Sequence, residues 1–293
     1  MIAKSIKVFV LHTLLLVSSA LFSQLSISKQ KTVLRFLEGN SWQAKFGELE
    51  LLIDPVMSQL DFGIPFLYSG NKKYLDGSVE LSNLSRSANA VLITQNFDDH
   101  AHTPTLKKLS KLNPKMVYIC PPAAKSILTN CGILEKFVTT ISPGQTVTVS
   151  QGPSTAEIIA TQGALLGPPW QQKENGYVIR PKTGFFFPSV YIEPHCMYDE
   201  EELKNYEVDC VISPVVSQEL PAYTLVAGGP KAVRLAKILK ARCIAPMANG
   251  DLSQSGILSK IISEGDSFDT FKVLATKNGI RVLDIAPGNA IEI

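Results

Sequence analysis

The 293-residue chain carries only four histidines, His12, His100, His102 and His195. The last three fall in two polar clusters, each placed directly after an apolar run. Asp98-Asp99-His100-Ala101-His102 follows NAVLITQ and sets four carboxylate or imidazole groups within five residues. His195 stands in YIEPHCMYD, at the end of another apolar run. Imidazole together with carboxylate suits zinc, iron or manganese, which take such donors at about 2.0–2.2 Å. The same pairing suits metal-free general acid–base work, because a carboxylate beside an imidazole controls where its proton sits. A third use is local: Asp98 or Asp99 can cap a helix starting near Thr103, with the histidines at its polar mouth. Residue types alone leave the three uses open.

The elements that must position these groups are legible from the surrounding pattern. VLRFLEG, GELELLIDP and NAVLITQ have strand length and end in Gly, Pro, Asp or Asn. TPTLKKLSKL has apolar positions at helical spacing after a Thr-Pro start, which predicts a helix over 103–112. MVYICP reads as a buried strand and PAAKSILTNCG as a helix ended by Gly132. FVTTISPG, TVTVSQ, AEIIATQ, GYVIRP, GFFFPSVYIEP, VDCVISPVV and CIAPM continue as strands, with a further helix at PKAVRLAKILKAR. Two strand clusters interspersed with helices predict two sheets with helices outside both. The polar clusters then lie at strand ends, where rigid scaffolds present functional groups.

Three other stretches bear on a site. LDFGIPFLYSGNKKYLDG predicts a long loop whose Phe62, Phe66, Leu67 and Tyr68 pack over something. In GALLGPPWQQKENGY, Gly167-Pro168-Pro169-Trp170 predicts a rigid turn presenting an aromatic, and Glu174-Asn175-Gly176 a second turn. Trp170, Gln171 and Glu174 either wall a pocket or pack their own loop. Asn249, Gly250 and Asp251 follow the last core strand and either line the same mouth or cap the next helix. Gly228-Gly229-Pro230 reads as a helix start in preference to a phosphate cradle, because no G-x-G-x-x-G or P-loop pattern surrounds it.

Composition narrows the class. Apolar residues at 45% and charged residues at 18% describe a globular chain. With 28 basic against 26 acidic residues and no basic stripe, nucleic acid is not an expected partner. The five cysteines are scattered, never spaced as C-x-x-C, and read as buried inert thiols. Residues 1–31 form a separate segment: Lys4 and Lys7, an apolar run from Val8 to Phe22, many serines and no acidic residue. This order fits a secretory signal or a plastid or mitochondrial transit peptide, with an organelle, a plastid first, as the expected destination and the secretory pathway as the alternative. No stable membrane span is expected after processing, and residues 32–293 are expected to form one domain.

Set against known families, TQNFDDHAH between a strand and a helix resembles the signature loop of the metallo-β-lactamase superfamily, Thr-His-x-His-x-Asp-His. Thr94 matches the Thr, Gln95 the first His, Phe97 the second, Asp99 the Asp and His100 the last. Gly39-Asn40-Ser41 and Asp54-Pro55 resemble the Gly-His-Ala and Asp-Pro of the lactonase-like opening hairpin. His195 stands at the place of the bridging Asp, and Ala248 at that of the final metal-binding His. ITQNFDDHAH, GPPWQQKENGY and VYIEPHC also resemble motifs of a branch found in plants and cyanobacteria. The resemblance covers residues 33–293 and implies an α+β fold, a four-layer αββα sandwich.

It further implies a hydrolase of a small ester, lactone or phosphorylated metabolite. Most of the two-metal ligand set is replaced here, so the implied site is a single zinc, manganese or iron held by Asp99, His100 and His195. Asp98, Asp99 and His102 are the catalytic candidates, with Asp98 or His102 as proton shuttle. Asn40, Gln95, Trp170, Glu174 and Asn249 line the implied pocket. The alternative is a ligand-binding member of the fold with no metal and no catalysis.

Overall fold

The computed structural model describes residues 31–165, 173–182, 187–221, 223–248 and 251–293. Residues 1–30, where the targeting segment is expected, and Trp170, Gln171 and Asn249 lie outside the described residues. Strands β1 (Thr32–Phe36), β2 (Trp42–Phe46) and β3 (Leu49–Ile53) form an antiparallel meander. The chain then passes through the short β4 (Ser69–Asn71) and helix α1 (Gly77–Ser87) to β5 (Ala90–Leu92). Helix α2 (Thr103–Leu112), β6 (Val117–Cys120), α3 (Lys125–Asn130) and β7 (Val138–Thr140) follow, and β3, β5, β6 and β7 pair in parallel.

The second sheet begins with the antiparallel β8 (Thr146–Gln151), β9 (Ser154–Gln162) and β10 (Asn175–Pro181). Next come β11 (Val190–Ile192), α4 (Glu200–Leu203), β12 (Cys210–Pro214), the hairpin of β13 (Gln218–Leu220) and β14 (Tyr223–Val226), and α5 (Pro230–Ile238). After β15 (Cys243–Met247), the short β16 (Ser253–Ser255), α6 (Leu258–Ile261) and β17 (Ser263–Glu264) precede α7 (Phe268–Lys277) and β18 (Arg281–Val282). The last strand, β19 (Ala290–Glu292), returns to pair with β1. The two seven-stranded sheets run β19-β1-β2-β3-β5-β6-β7 and β18-β15-β12-β11-β10-β9-β8.

Three apolar layers hold this arrangement together. Between the sheets, Leu34, Trp42 and Phe46 meet Ile158, Tyr177 and Ile212. Outside the first sheet, Leu84, Leu106 and Leu128 from α1, α2 and α3 cover Val91 and Tyr118. Outside the second, Leu203, Leu235 and Phe271 from α4, α5 and α7 cover Val178, Tyr191 and Val211. This is the expected αββα sandwich. Strands covered on both faces lose the apolar–polar alternation, which is why β5, β11 and β12 are buried along their whole lengths.

Several local expectations are refined. The long polar loop carries the short strand β4 and gives way at Gly77 to helix α1, which the sequence pattern does not mark; Asp76 caps it by accepting from the amides of Ser78 and Val79. That helix is Ser-rich and buries little beyond Leu81 and Leu84, so its periodicity is faint. Of the loop aromatics, Tyr68 is buried, whereas Phe62 and Phe66 are exposed. Glu174-Asn175-Gly176 opens strand β10 and does not form the expected turn: Asn175 Nδ2 donates to Ile141 O and the Tyr177 hydroxyl. A Cβ on Gly176 would lie 2.5 Å from the Tyr191 hydroxyl, so only glycine fits there. Gly228-Gly229-Pro230 does start a helix, and the Asp266 carboxylate occupies the space over Gly229. All five cysteines are free and buried, as expected. Among the described residues no helix is long and apolar enough to cross a membrane.

Candidate functional site

The carboxyl ends of β3, β5 and β11 converge, bringing Asp54, the Thr94–His100 loop and His195 to one mouth between the sheets. Clefts at the carboxyl ends of parallel strands are the usual place for ligands in α/β folds. Asp54 ends β3 in the left-handed region, at φ 43°. Ser41 clamps the turn there, donating through Oγ to Asp54 O and accepting from Val56 N. The Asp54 carboxylate thereby points at the first residues after β5. Its Oδ1 accepts from Thr94 N at 2.8 Å, and its Oδ2 from the Thr94 hydroxyl at 2.5 Å and His100 Nδ1 at 2.8 Å. Both His100 and Asp54 are fully buried. Because Nδ1 is committed to Asp54, Nε2 is the nitrogen that His100 presents to the cleft.

That Nε2 lies 3.3 Å from Asp99 Oδ2 and 3.3 Å from Asn40 Nδ2. Asn40 also donates to Asp99 O at 3.0 Å, which ties the β1–β2 turn to the histidine loop. Burial opposes charge on this imidazole, but the carboxylates of Asp99 and Asp54 on either side outweigh it and hold its pKa up to about 10. Asp99 is the counterpart: burial pushes its carboxyl up, His100 pulls it down more strongly, and the result is about 2.

His195 follows β11 in a turn organised by Glu193, whose carboxylate accepts from His195 N and Met197 N. Burial raises the Glu193 pKa to about 7. The His195 ring faces that of His100, with centroids 5.5 Å apart. Burial, reinforced by the charge on His100, lowers its pKa to about 3, so this imidazole is neutral. Gln95 Nε2 lies 2.6 Å from His195 Nδ1, while Gln95 Oε1 is buried with no partner. Turning that amide over would present Oε1 to an Nδ1–H and free Nε2 toward the cleft.

The remaining candidates are placed differently. Both ring nitrogens of His102 are used locally, Nδ1 with the Thr105 hydroxyl at 2.8 Å and Nε2 with Gln59 O at 3.2 Å. Thr105 Oγ1 in turn accepts from Met57 N, so His102 pins the start of α2 to the segment after β3. Asp98 Oδ1 accepts from Thr103 N at the same helix start. In this arrangement neither reaches the cleft as a proton shuttle. Glu174 is buried beside the His100–Asp99 pair, and burial raises its pKa to about 7. Phe97 and Ala248, where the resemblance puts further histidines, offer no ligand; Ala248 makes a β-bridge with Gly39.

Asp54 and Thr94 were in view only as landmarks, although an Asp closing a buried strand is itself a signal of a fixed carboxylate. Tyr68 reads in the sequence only as a packing residue of the long loop, and nothing there marks Lys72. Both line a cavity of about 400 Å³ whose floor includes Asn40, Asp99 and His195. Burial, then the Asp99 charge, raises the Tyr68 phenol to about 12, so it stays a hydroxyl.

Among the described residues, no three or more His, Cys, Asp and Glu already stand at metal-ligand spacing. Two ions are not accommodated, since Gln95, Phe97 and Ala248 replace the ligands they need. One carboxylate and two imidazoles at Asp99, His100 and His195 do suit a single ion. Gln95 Oε1 beside His195 and Asn40 Oδ1 are buried oxygens with no hydrogen-bond partner, so they are further polar atoms next to that donor set.

Comparison with known proteins agrees with this fold. A family model described as a beta-lactamase superfamily domain matches residues 33–248. No curated protein matches the sequence. Among solved structures, the chain is similar to Igni18, a metallo hydrolase from Ignicoccus hospitalis, with a TM-score of 0.61 at 14% identity, covering 90% of this chain and 98% of that one. An isothiocyanate hydrolase from Delia radicum gut bacteria gives 0.62 at 14% identity, covering 88% and 98%. CmlA, a diiron β-hydroxylase from Streptomyces venezuelae, gives 0.60 at 16% identity; 90% of this chain matches but only 54% of CmlA.

Proposed function

The chain belongs to the beta-lactamase superfamily, and from that premise we propose that it is a metal-dependent hydrolase of a small ester, lactone or phosphorylated metabolite. The ion is single and is held by Asp99, His100 and His195. One observation carries the reading: His100, oriented by Asp54, presents Nε2 3.3 Å from Asp99 Oδ2 with the His195 ring across from it, and Asp99 and His195 line the cavity. A divalent ion bound there supplies Lewis acidity toward a scissile carbonyl or phosphoryl oxygen and lowers the pKa of water.

The chain's own residues do the rest. Asp54 keeps the proton of His100 on Nδ1, and Asn40 holds Asp99 in place by its backbone oxygen. Gln95 hydrogen-bonds Nδ1 of His195 and holds that ring in place. Tyr68, a neutral hydroxyl on the cavity wall, is a donor for a substrate oxygen. Phe97 and Leu60 exclude water on the apolar side.

The absence of a ready-made ligand cluster among the described residues favours one other reading, a binding protein with no metal. The two separate by metal analysis and turnover. The hydrolase reading expects about one ion per chain and hydrolysis of an ester or lactone that is lost in His100→Ala. Metal-free protein that stays inactive after zinc, manganese or iron is added supports the binding reading.

A further inference from the structure

The cavity above Asp99 and His195 is walled largely by apolar side chains, among them Val56, Leu60, Phe62, Leu225 and Leu252. Its wall includes a single Lys or Arg among the described residues, Lys72. Lys72 is held with unusual firmness. The Glu38 carboxylate accepts from the backbone amides of Lys73, Tyr74 and Leu75, which fixes the chain immediately after Lys72. The Lys72 ammonium reaches back to the carbonyls of Leu37 and Glu38. Its neighbours are otherwise engaged: Glu80 pairs with Arg35, and Lys73 takes Asp251. Lys72 itself forms no ion pair among the described residues. Burial is the main effect on it and lowers its pKa to about 8.

A buried ammonium with two backbone acceptors, one N–H remaining and no ion pair among the described residues is a site for an anion, because the nearby Glu38 carboxylate, which also lines the cavity, is taken up by three backbone amides. We infer that the cavity takes an amphipathic monocarboxylate, its carboxylate on Lys72 and its apolar body along the wall beside Phe62 and Leu225. A single point charge matches a monoanion. A phosphate dianion would need a second cation or an arginine fork, and the Asp99 and Glu38 carboxylates of the same cavity oppose the second charge. As a statement about substrate this rests on the hydrolase reading, and it narrows the substrate to one carrying a free carboxylate. As a statement about binding it stands without the metal.

The test is calorimetric titration of the full chain, with chelator present, against decanoate, methyl decanoate and decyl phosphate. Decanoate is expected to bind about tenfold or more tighter than its methyl ester, as a charge-assisted hydrogen bond provides. Lys72→Met should abolish that preference while the ester still binds, and Lys72→Arg should restore it in large part. Equal binding of acid and ester by the wild-type chain, no binding of either, or a preference that survives in Lys72→Met overturns the inference. So does decyl phosphate binding more tightly than decanoate. The wild-type acid–ester comparison decides the matter even if a variant folds poorly. A failure of the metal reading shows in metal content and leaves these titrations unchanged.

Discussion

Asp54 Oδ2 and His100 Nδ1 lie 2.8 Å apart with both side chains fully buried, and this contact sets the direction in which the imidazole faces the cleft. Thr94 closes the unit by giving the same carboxylate its amide and its hydroxyl. Asp54→Ala is therefore expected to destabilise the fold by about 3–5 kcal/mol, the cost of leaving one half of a buried charged pair. Asp54→Asn keeps the volume, and should weaken metal binding about 10–100-fold. Thermal melts and competition against a chromophoric chelator read the two effects separately.

Gln95 gives a milder version of the same experiment. It contacts His195 Nδ1 and has a spare buried oxygen, so it can stabilise either tautomer of that ring. In Gln95→Leu the ring loses this control, and metal affinity should fall about tenfold with little change in the melting curve. An affinity equal to wild type would show that Gln95 only fills space.

His102 should behave as a structural residue. With Nδ1 on Thr105 and Nε2 on Gln59 O, His102→Ala is expected to cost about 1–3 kcal/mol by orphaning buried partners. Its metal content should match wild type. Loss of metal from a folded His102→Ala protein would move this residue back into the site.

Glu174 predicts a pH effect with a definite sign. Its pKa is raised by burial from 4.5 to about 7, so the folded chain retains a proton that the unfolded chain releases. Stability from this group is complete below about pH 4.5 and is lost as pH rises toward 7, by about 3 kcal/mol at most. Chemical denaturation at pH 5 and pH 7 should show a larger drop for wild type than for Glu174→Gln. Equal drops would place the carboxyl in contact with solvent or a cation.

Much of the fold was legible because burial on two faces writes itself as apolar runs. NAVLITQ and VDCVISPVV are strands covered on both sides, and TPTLKKLSKL keeps its helical stripe. Helix α1 was not, since GSVELSNLSRS buries only a narrow stripe and owes its start to one Asp76 cap. At the site, the histidine clusters were visible as residue types, but their division of labour was not. His100 and His102 stand two apart, yet one faces the cleft and the other pins a helix. That difference comes from Asp54 and from Gln59, far from both in sequence. Lys72 was hidden for the same reason. A Lys-Lys pair in a polar loop reads as solvated until Glu38 is seen to fold the loop back over the cavity.

The central claim is that Asp99, His100 and His195 together hold one ion. Elemental analysis of the purified full chain beside His195→Ala tests it most directly. The account predicts about one zinc, manganese or iron per wild-type chain and a large loss in a folded His195→Ala protein. Wild-type protein that stays metal-free after incubation with each of these ions, or a His195→Ala protein that keeps its full complement, would contradict it.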